Sequence, residues 1–153
     1  MPQLRLASWN VNSLKVRLPQ VLEWLELSRT DALVLQETKL TDDLFPAEAF
    51  REAGFDAVFT GQKTYNGVAL VTRKSTVSGL EAVELNIPGY PDDQKRFVSA
   101  LITPAAGGDP IRFCGAYFPN GQEIGTSKYL YKLEWIHLTI ITHINWISNG
   151  INT

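Results

Sequence analysis

The sequence predicts one mixed α/β domain, a β-sheet with helices packed on one of its faces. Three observations carry that prediction. Strand and helix patterns alternate twice and then give way mostly to strands. The segments "ALVL" and "GVALV" are apolar on both alternating sides, so both faces of the sheet must be covered. Finally, 153 residues with 44% hydrophobic and 20% charged side chains are ordinary values for a single domain with a real core. No internal repeat or low-complexity linker interrupts the chain.

The elements follow in order. Residues 3–9, "QLRLASW", alternate apolar and polar and read as a first strand. "NVNSLKVR" reads as a polar loop. Leu18, Val21, Leu22 and Leu25 recur at helical spacing, with Pro19 suited to a first turn and an end near Ser28. Residues 32–36 are the next strand. "PAEAFREAG" is a short helix, with Pro46 near its start and Gly54 past its end. "FDAVFTG" and "GVALVTR" are strands around the polar loop "QKTYN". Extended segments follow near 77–84 and 96–103, then the strong strand "PIRFCGAYF" and the loop "PNGQEIGTSK".

Composition removes several classes of function. A net charge of −2 provides no global positive field, so a polyanion site must be a local patch or use a metal. Cys114, the only cysteine, lies inside an apolar run and reads as a buried structural thiol. The amino terminus lacks a long apolar signal core, and no apolar run approaches membrane-spanning length. The expectation is a cytoplasmic protein with no membrane partner.

Residues 136–153 break the pattern. These 18 residues hold six isoleucines and both histidines, whereas the preceding 135 hold four isoleucines; Lys, Arg, Asp and Glu are absent from 136 onward. Leu133, Ile136, Ile140, Ile144 and Ile147 fit a helical stripe, although β-branching disfavours helix. So sharp a shift is what a change of reading frame or an altered terminus produces; an unusual amphipathic helix is the alternative. We therefore divide the chain into residues 1–135 and an atypical tail, 136–153.

Three polar clusters each end an apolar strand. Glu37 follows the strand "ALVLQ" directly, and a carboxylate at a strand end can bind a cation. Alone, it is ordinarily solvated or ion-paired, with Lys39 available. Asn10 and Asn12 follow the first strand, where amide oxygens can ligate a hard cation; asparagine is also common in turns. Tyr117 ends the strand "IRFCGAY", where a phenol can donate to a phosphate oxygen or simply pack.

Together, "SWNVNSLKVR", "LVLQETKL", "GQKTYNGVALVTR", "QKRFVSA" and "GAYFPNGQE" stand in the order and approximate spacing of the exonuclease III family. Residues 3–135 resemble the amino-terminal half of a bacterial apurinic/apyrimidinic endonuclease of that type. The wider endonuclease/exonuclease/phosphatase superfamily includes phosphatases of inositol phosphates, but "SLKVR" and "YFPNGQE" favour the DNA-repair branch. The resemblance implies a four-layer α/β sandwich of two facing sheets with helices outside. This chain would supply about half of it, a mixed sheet with helices on one face, with the second sheet largely missing.

The resemblance further implies that Glu37 holds a catalytic Mg²⁺ (or Mn²⁺), and that Asn10 helps build the metal and phosphate site. Asn12 stands where some relatives carry an aspartate and is possible metal support. Tyr117 should contact the scissile phosphate. Lys39, Arg96, Tyr65 and Asn66 should face DNA, joined by Lys15, Arg17, Lys63, Lys95 and Lys128 as a backbone-contacting patch. The implied substrate is double-stranded DNA, cut 5′ to abasic sites and trimmed from 3′ ends.

The family's GDxN-type segment and its later aspartate–histidine pair have no counterpart in these residues. His137 and His143 come too early to match that histidine. We therefore expect little nuclease activity from this chain by itself, and two other readings stay open. One is an inactive fragment that binds metal or DNA or needs a second chain. The other is a different phosphoesterase of the superfamily. The family is expected to be monomeric, with association possible for this chain if the sheet face that should meet its partner is bare.

Overall fold

A computed structural model describes residues 3–149. The chain runs β1 (Leu6–Asn10), α1 (Leu14–Ser28), β2 (Ala32–Gln36), a 3₁₀ turn (Asp42–Leu44), α2 (Ala47–Glu52), β3 (Phe55–Thr60) and β4 (Val68–Arg73). It continues with β5 (Val77–Glu84), β6 (Phe97–Pro104), β7 (Ile111–Ala116) and α3 (Ser127–Asn149). The first four strands form one mixed sheet in the order β1-β2-β4-β3, with β1 parallel to β2 and the other pairs antiparallel. The last three form a separate antiparallel sheet in the order β5-β6-β7.

The doubly apolar strands explain the layering. On β2 and β4, Leu33, Leu35, Ala69 and Val71 pack with Val21 and Leu25 of α1 and Phe50 of α2. The alternate residues Ala32, Val34, Val68 and Leu70 pack with Val77, Val98, Ala100 and Ile102 of the second sheet. Burying each of the Val, Leu, Ile and Phe side chains among them contributes about 1.5–3 kcal/mol. The outer face of the second sheet meets α3, through Phe97, Cys114, Trp135 and Trp146. Gly115 lets the sheets approach, since a Cβ there would lie 2.3 Å from Val34 Cγ1.

All four layers are therefore present, and this refines the expectation that the chain supplies essentially one sheet. The segments near 77–84, 96–103 and 111–116 pair with one another, and three strands of the second sheet stand over β2 and β4. The inner sheet face is consequently buried there, not bare. At the sheet's edge β1 stays open, with Leu6, Ser8 and Asn10 exposed.

Two helices differ from the sequence reading. The first starts at Leu14, a turn before Leu18, because Leu14 is fully buried and its N–H donates to the Thr38 carbonyl at 3.0 Å. Pro19 consequently lies inside the helix. The tail does not begin a new unit, since α3 passes through Ile136 unbroken. Its buried face is Trp135, Thr139 and Thr142, while Leu133, Ile140, Ile144 and Ile147 point outward. Only Ile136 of the expected stripe packs inward. The segment beyond Asn149 lies outside the described residues.

Candidate functional site

One end of the sandwich gathers the polar clusters. Strand register places Asn10 opposite Gln36, Gln36 opposite Val68, and Phe97 opposite Ala116. The residues just beyond these pairs are Glu37, Gly67, Arg96 and Tyr117. Both sheets thus deliver side chains to one rim.

The loop carrying Glu37 is held by its backbone. Glu37 and Lys39 adopt left-handed φ values of 54° and 56°, and Asn12, Ser13, Asn66 and Lys95 beside them are also at positive φ. Each such non-glycine residue costs about 1–3 kcal/mol and persists only where its surroundings enforce it. Here the Ser13 N–H donates to the Glu37 carbonyl at 2.8 Å and the Lys39 N–H to the Asn66 carbonyl at 3.0 Å. The Thr38 N–H donates to Gly67 at 3.2 Å, and the Gly67 N–H to Lys95 at 3.1 Å. Four loops are stitched together through residues 37–39. Gly67 has φ 87°, and a Cβ there would meet Thr38 Oγ1 at 2.2 Å, so only glycine allows this closure.

The side chains complete the arrangement. Asn10 Nδ2 donates to Glu37 Oε1 at 2.8 Å, while Asn10 Oδ1 accepts from the Asn12 N–H at 3.1 Å. Lys39 Nζ stands 3.1 Å from Glu37 Oε2 and donates to Asn12 Oδ1 at 2.5 Å. The Asn10 hydrogen bond, with smaller help from Lys39 and the Tyr117 hydroxyl, outweighs partial burial and holds the Glu37 carboxyl below its ordinary range. Burial first, and then the Glu37 carboxylate, push the Tyr117 phenol up, although Arg96 opposes this. Tyr117 accordingly remains a neutral O–H donor beside an ionised acceptor.

Arg96 is oriented from three sides. Its guanidinium carbon lies 4.9 Å from the Tyr117 ring centroid, Nη1 donates to the Tyr117 carbonyl at 3.2 Å, and Nε and Nη2 both donate to Gln94 Oε1 at 3.1 Å. Arg96 and Tyr117 line a cleft of about 360 Å³ together with Tyr65, Asn120, Lys128 and Tyr131.

The donor set at Glu37 fits a hard divalent cation. The ionised Glu37 carboxylate is what such ions take when phosphate and water complete the shell, with Asn10 turning its amide nitrogen to Glu37 as the group that orients it. The Lys39 ammonium occupies the place of a positive partner. Among the described residues no three His, Cys, Asp or Glu side chains gather, so this is not an all-protein cage.

The structure thus brings Asn10, Asn12, Glu37, Lys39, Arg96, Tyr117 and Tyr65 to one rim. Asn66 departs from the expected DNA-facing side chain. It is only 3% exposed, its Nδ2 has no partner, and its main chain braces Lys39. The larger basic patch also divides, since Lys15 lines a separate pocket with Leu40 and Pro46. Sequence reasoning did not single out Thr38, Gly67 or Gln94; the Gly67 in "TYNGVAL" was the available signal. Cys114 is mostly but not fully buried, and burial raises its thiol to about 11, which keeps it unreactive. His143 bonds the Thr139 carbonyl at 2.7 Å and packs edge-on against Trp146. Among the described residues no helix is long and apolar enough to cross a membrane.

Comparison with known proteins accords with this geometry. A model of the endonuclease/exonuclease/phosphatase family matches residues 7–137. Exodeoxyribonuclease III of Haemophilus influenzae is 30% identical over 120 residues, 78% of this chain and 43% of the relative. A Neisseria 3′ phosphatase, NExo, solved with a product DNA hairpin, superposes with a TM-score of 0.83 at 37% identity, covering 95% of this chain and 53% of that one. An AP endonuclease from Archaeoglobus fulgidus gives 0.77 at 35%, covering 90% and 49%. The chain spans about half the length of these relatives. It belongs to the endonuclease/exonuclease/phosphatase family.

Proposed function

We propose that this family member carries the cation- and phosphate-binding rim of a DNA-repair nuclease of exonuclease III type. The supporting observation is Glu37, ionised and clamped between Asn10 and Lys39, with the Tyr117 hydroxyl facing it. Mg²⁺ or Mn²⁺ bound at Glu37 would neutralise a phosphodiester and stabilise charge on the leaving oxygen. Asn10 orients the carboxylate. Tyr117 O–H and Arg96 are donors for non-bridging phosphate oxygens, and a low-dielectric rim strengthens such contacts. Tyr65, Arg96 and Lys128 line the cleft along which a DNA strand would run. The substrate is duplex DNA with an abasic site or a 3′ end.

A second reading is favoured by one observation: among the described residues no two further His, Cys, Asp or Glu side chains join Glu37 in a cluster. These 153 residues would then bind Mg²⁺ and DNA while cutting slowly, for want of a group that activates water. One experiment addresses both. A labelled duplex with a single abasic site is mixed with the chain in Mg²⁺ or EDTA, beside Glu37→Ala. Mg²⁺-dependent binding lost in the variant, with little cutting, is the expected result. Efficient Mg²⁺-dependent cutting would remove the second reading. No Mg²⁺-dependent binding, or preference for an inositol phosphate over the duplex, would sink the DNA assignment.

A further inference from the structure

The outward face of α3 is organised. Leu130, Leu133, His137, Ile140, Ile144 and Ile147 are spaced by three, four, three, four and three residues. That is an a/d heptad seam, the pattern that knobs-into-holes packing against another helix requires. The five aliphatic side chains are between 46% and 81% exposed, and His137 is exposed too. None is needed by the chain's own core, because α3 covers its sheet with a different face, that of Trp135, Thr139 and Thr142.

We infer that a second copy of this chain docks on this seam, α3 against α3, to form an isologous dimer. The seam is self-complementary. Leu130 and Ile147, Leu133 and Ile144, and His137 and Ile140 are each equidistant from its midpoint. Two antiparallel copies therefore set aliphatic against aliphatic in the outer layers. Each His137 then meets an isoleucine and not another imidazole. Lys132 and Glu134 lie at one end of the seam and, in an antiparallel pair, meet the stretch from Ile136 onward that has no Lys, Arg, Asp or Glu, so no like charges oppose the approach. The same absence disfavours a lipid surface, because helices that lie on membranes carry Lys and Arg along their polar face. The seam runs about 26 Å at 1.5 Å per residue. That is a small interface beside the ~800 Å² per partner of standard ones, so the association is weak and concentration-dependent.

Sedimentation of the full chain across a micromolar concentration series tests this. The mass should rise from one chain to two. Ile140→Glu and Ile144→Glu should each weaken association at least tenfold, while Asn145→Glu, exposed but off the seam, leaves it unchanged. His137→Leu should strengthen the dimer. Helix content by circular dichroism shows that each variant is folded; should the glutamate variants unfold, Ile140→Ser and His137→Leu still read the seam in opposite directions. A monomer at every concentration, a dimer indifferent to Ile140 and Ile144, or binding to anionic vesicles without self-association would overturn the inference.

Discussion

The two sheets are built to different standards. In the first, β1 through β4 pair in unbroken register, and β2 is buried along its whole length. In the second, β5 and β6 pair with register shifts, and most of β5 past Leu80 is exposed. The candidate site draws on both, with Asn10 and Glu37 from the first and Arg96 and Tyr117 from the second. The difference teaches that the carboxylate is anchored in the firmer sheet. The donors facing it depend on how the looser sheet docks.

The largest expected effect tests whether the looser half can loosen alone. Trp135 is fully buried between α3 and the second sheet, and its Nε1 has no partner. Trp135→Ala should cost about 3–5 kcal/mol, less whatever the unpaired indole N–H already costs. Hydrogen exchange should speed first in α3 and β5–β7, while β1–β4 amides stay protected. Equal loss throughout would show one cooperative unit and erase the contrast.

Leu33→Ala is the matching cut in the first sheet. Leu33 is fully buried in the cluster shared with α1, and its loss should cost about 2–5 kcal/mol. Here both halves should lose protection together, because the second sheet packs on β2. Survival of Cys114 burial, measured by thiol labelling at the new midpoint, would contradict that.

Gly115→Ala probes the joint itself. Overpacking against Val34 should cost about 1–3 kcal/mol and push β7 outward. Tyr117, two residues on, should move with it. The phenol's titration midpoint should then fall towards its ordinary value as Glu37 recedes. An unchanged midpoint would mean that Tyr117 is placed by Arg96 and not by the sheet contact.

The smallest effect is electrostatic. Because the Glu37 carboxyl is held below its ordinary range, it contributes stability that is fully present above the unfolded value and lost as pH falls through the folded one. Glu37→Gln should therefore lower stability slightly at neutral pH, and the difference from the parent should shrink as pH falls below about 4.3, the ordinary glutamate value. An acid limb identical to the parent's would show that the Asn10 and Lys39 contacts favour neither protonation state.

Much of this was legible in one dimension. Period-two and apolar runs marked β1 to β4 and β7, because burial on alternate faces is a property of neighbours in sequence; β5 and β6 read only as extended segments. Asn10, Glu37 and Tyr117 were legible because a polar residue ending an apolar strand needs no tertiary information to be noticed. The tail was harder. Its isoleucines suggested the inward stripe of a helix, but the sheet it covers selects the face of Trp135, so Trp135 and Ile136 went in and Ile140, Ile144 and Ile147 out.

What the sequence by itself determined, then, is the order of elements, the two-faced character of β2 and β4, and the residues that end the strands. Those follow from local periodicity and from the cost of burying polar groups. Which strands join which sheet was decided only by the tertiary structure, as was the covering of the inner face. The left-handed stitching of residues 37–39 to Ser13, Asn66 and Gly67 was decided there too. Each depends on hydrogen bonds between segments far apart in the chain, and no local pattern encodes which distant carbonyl a loop N–H will find.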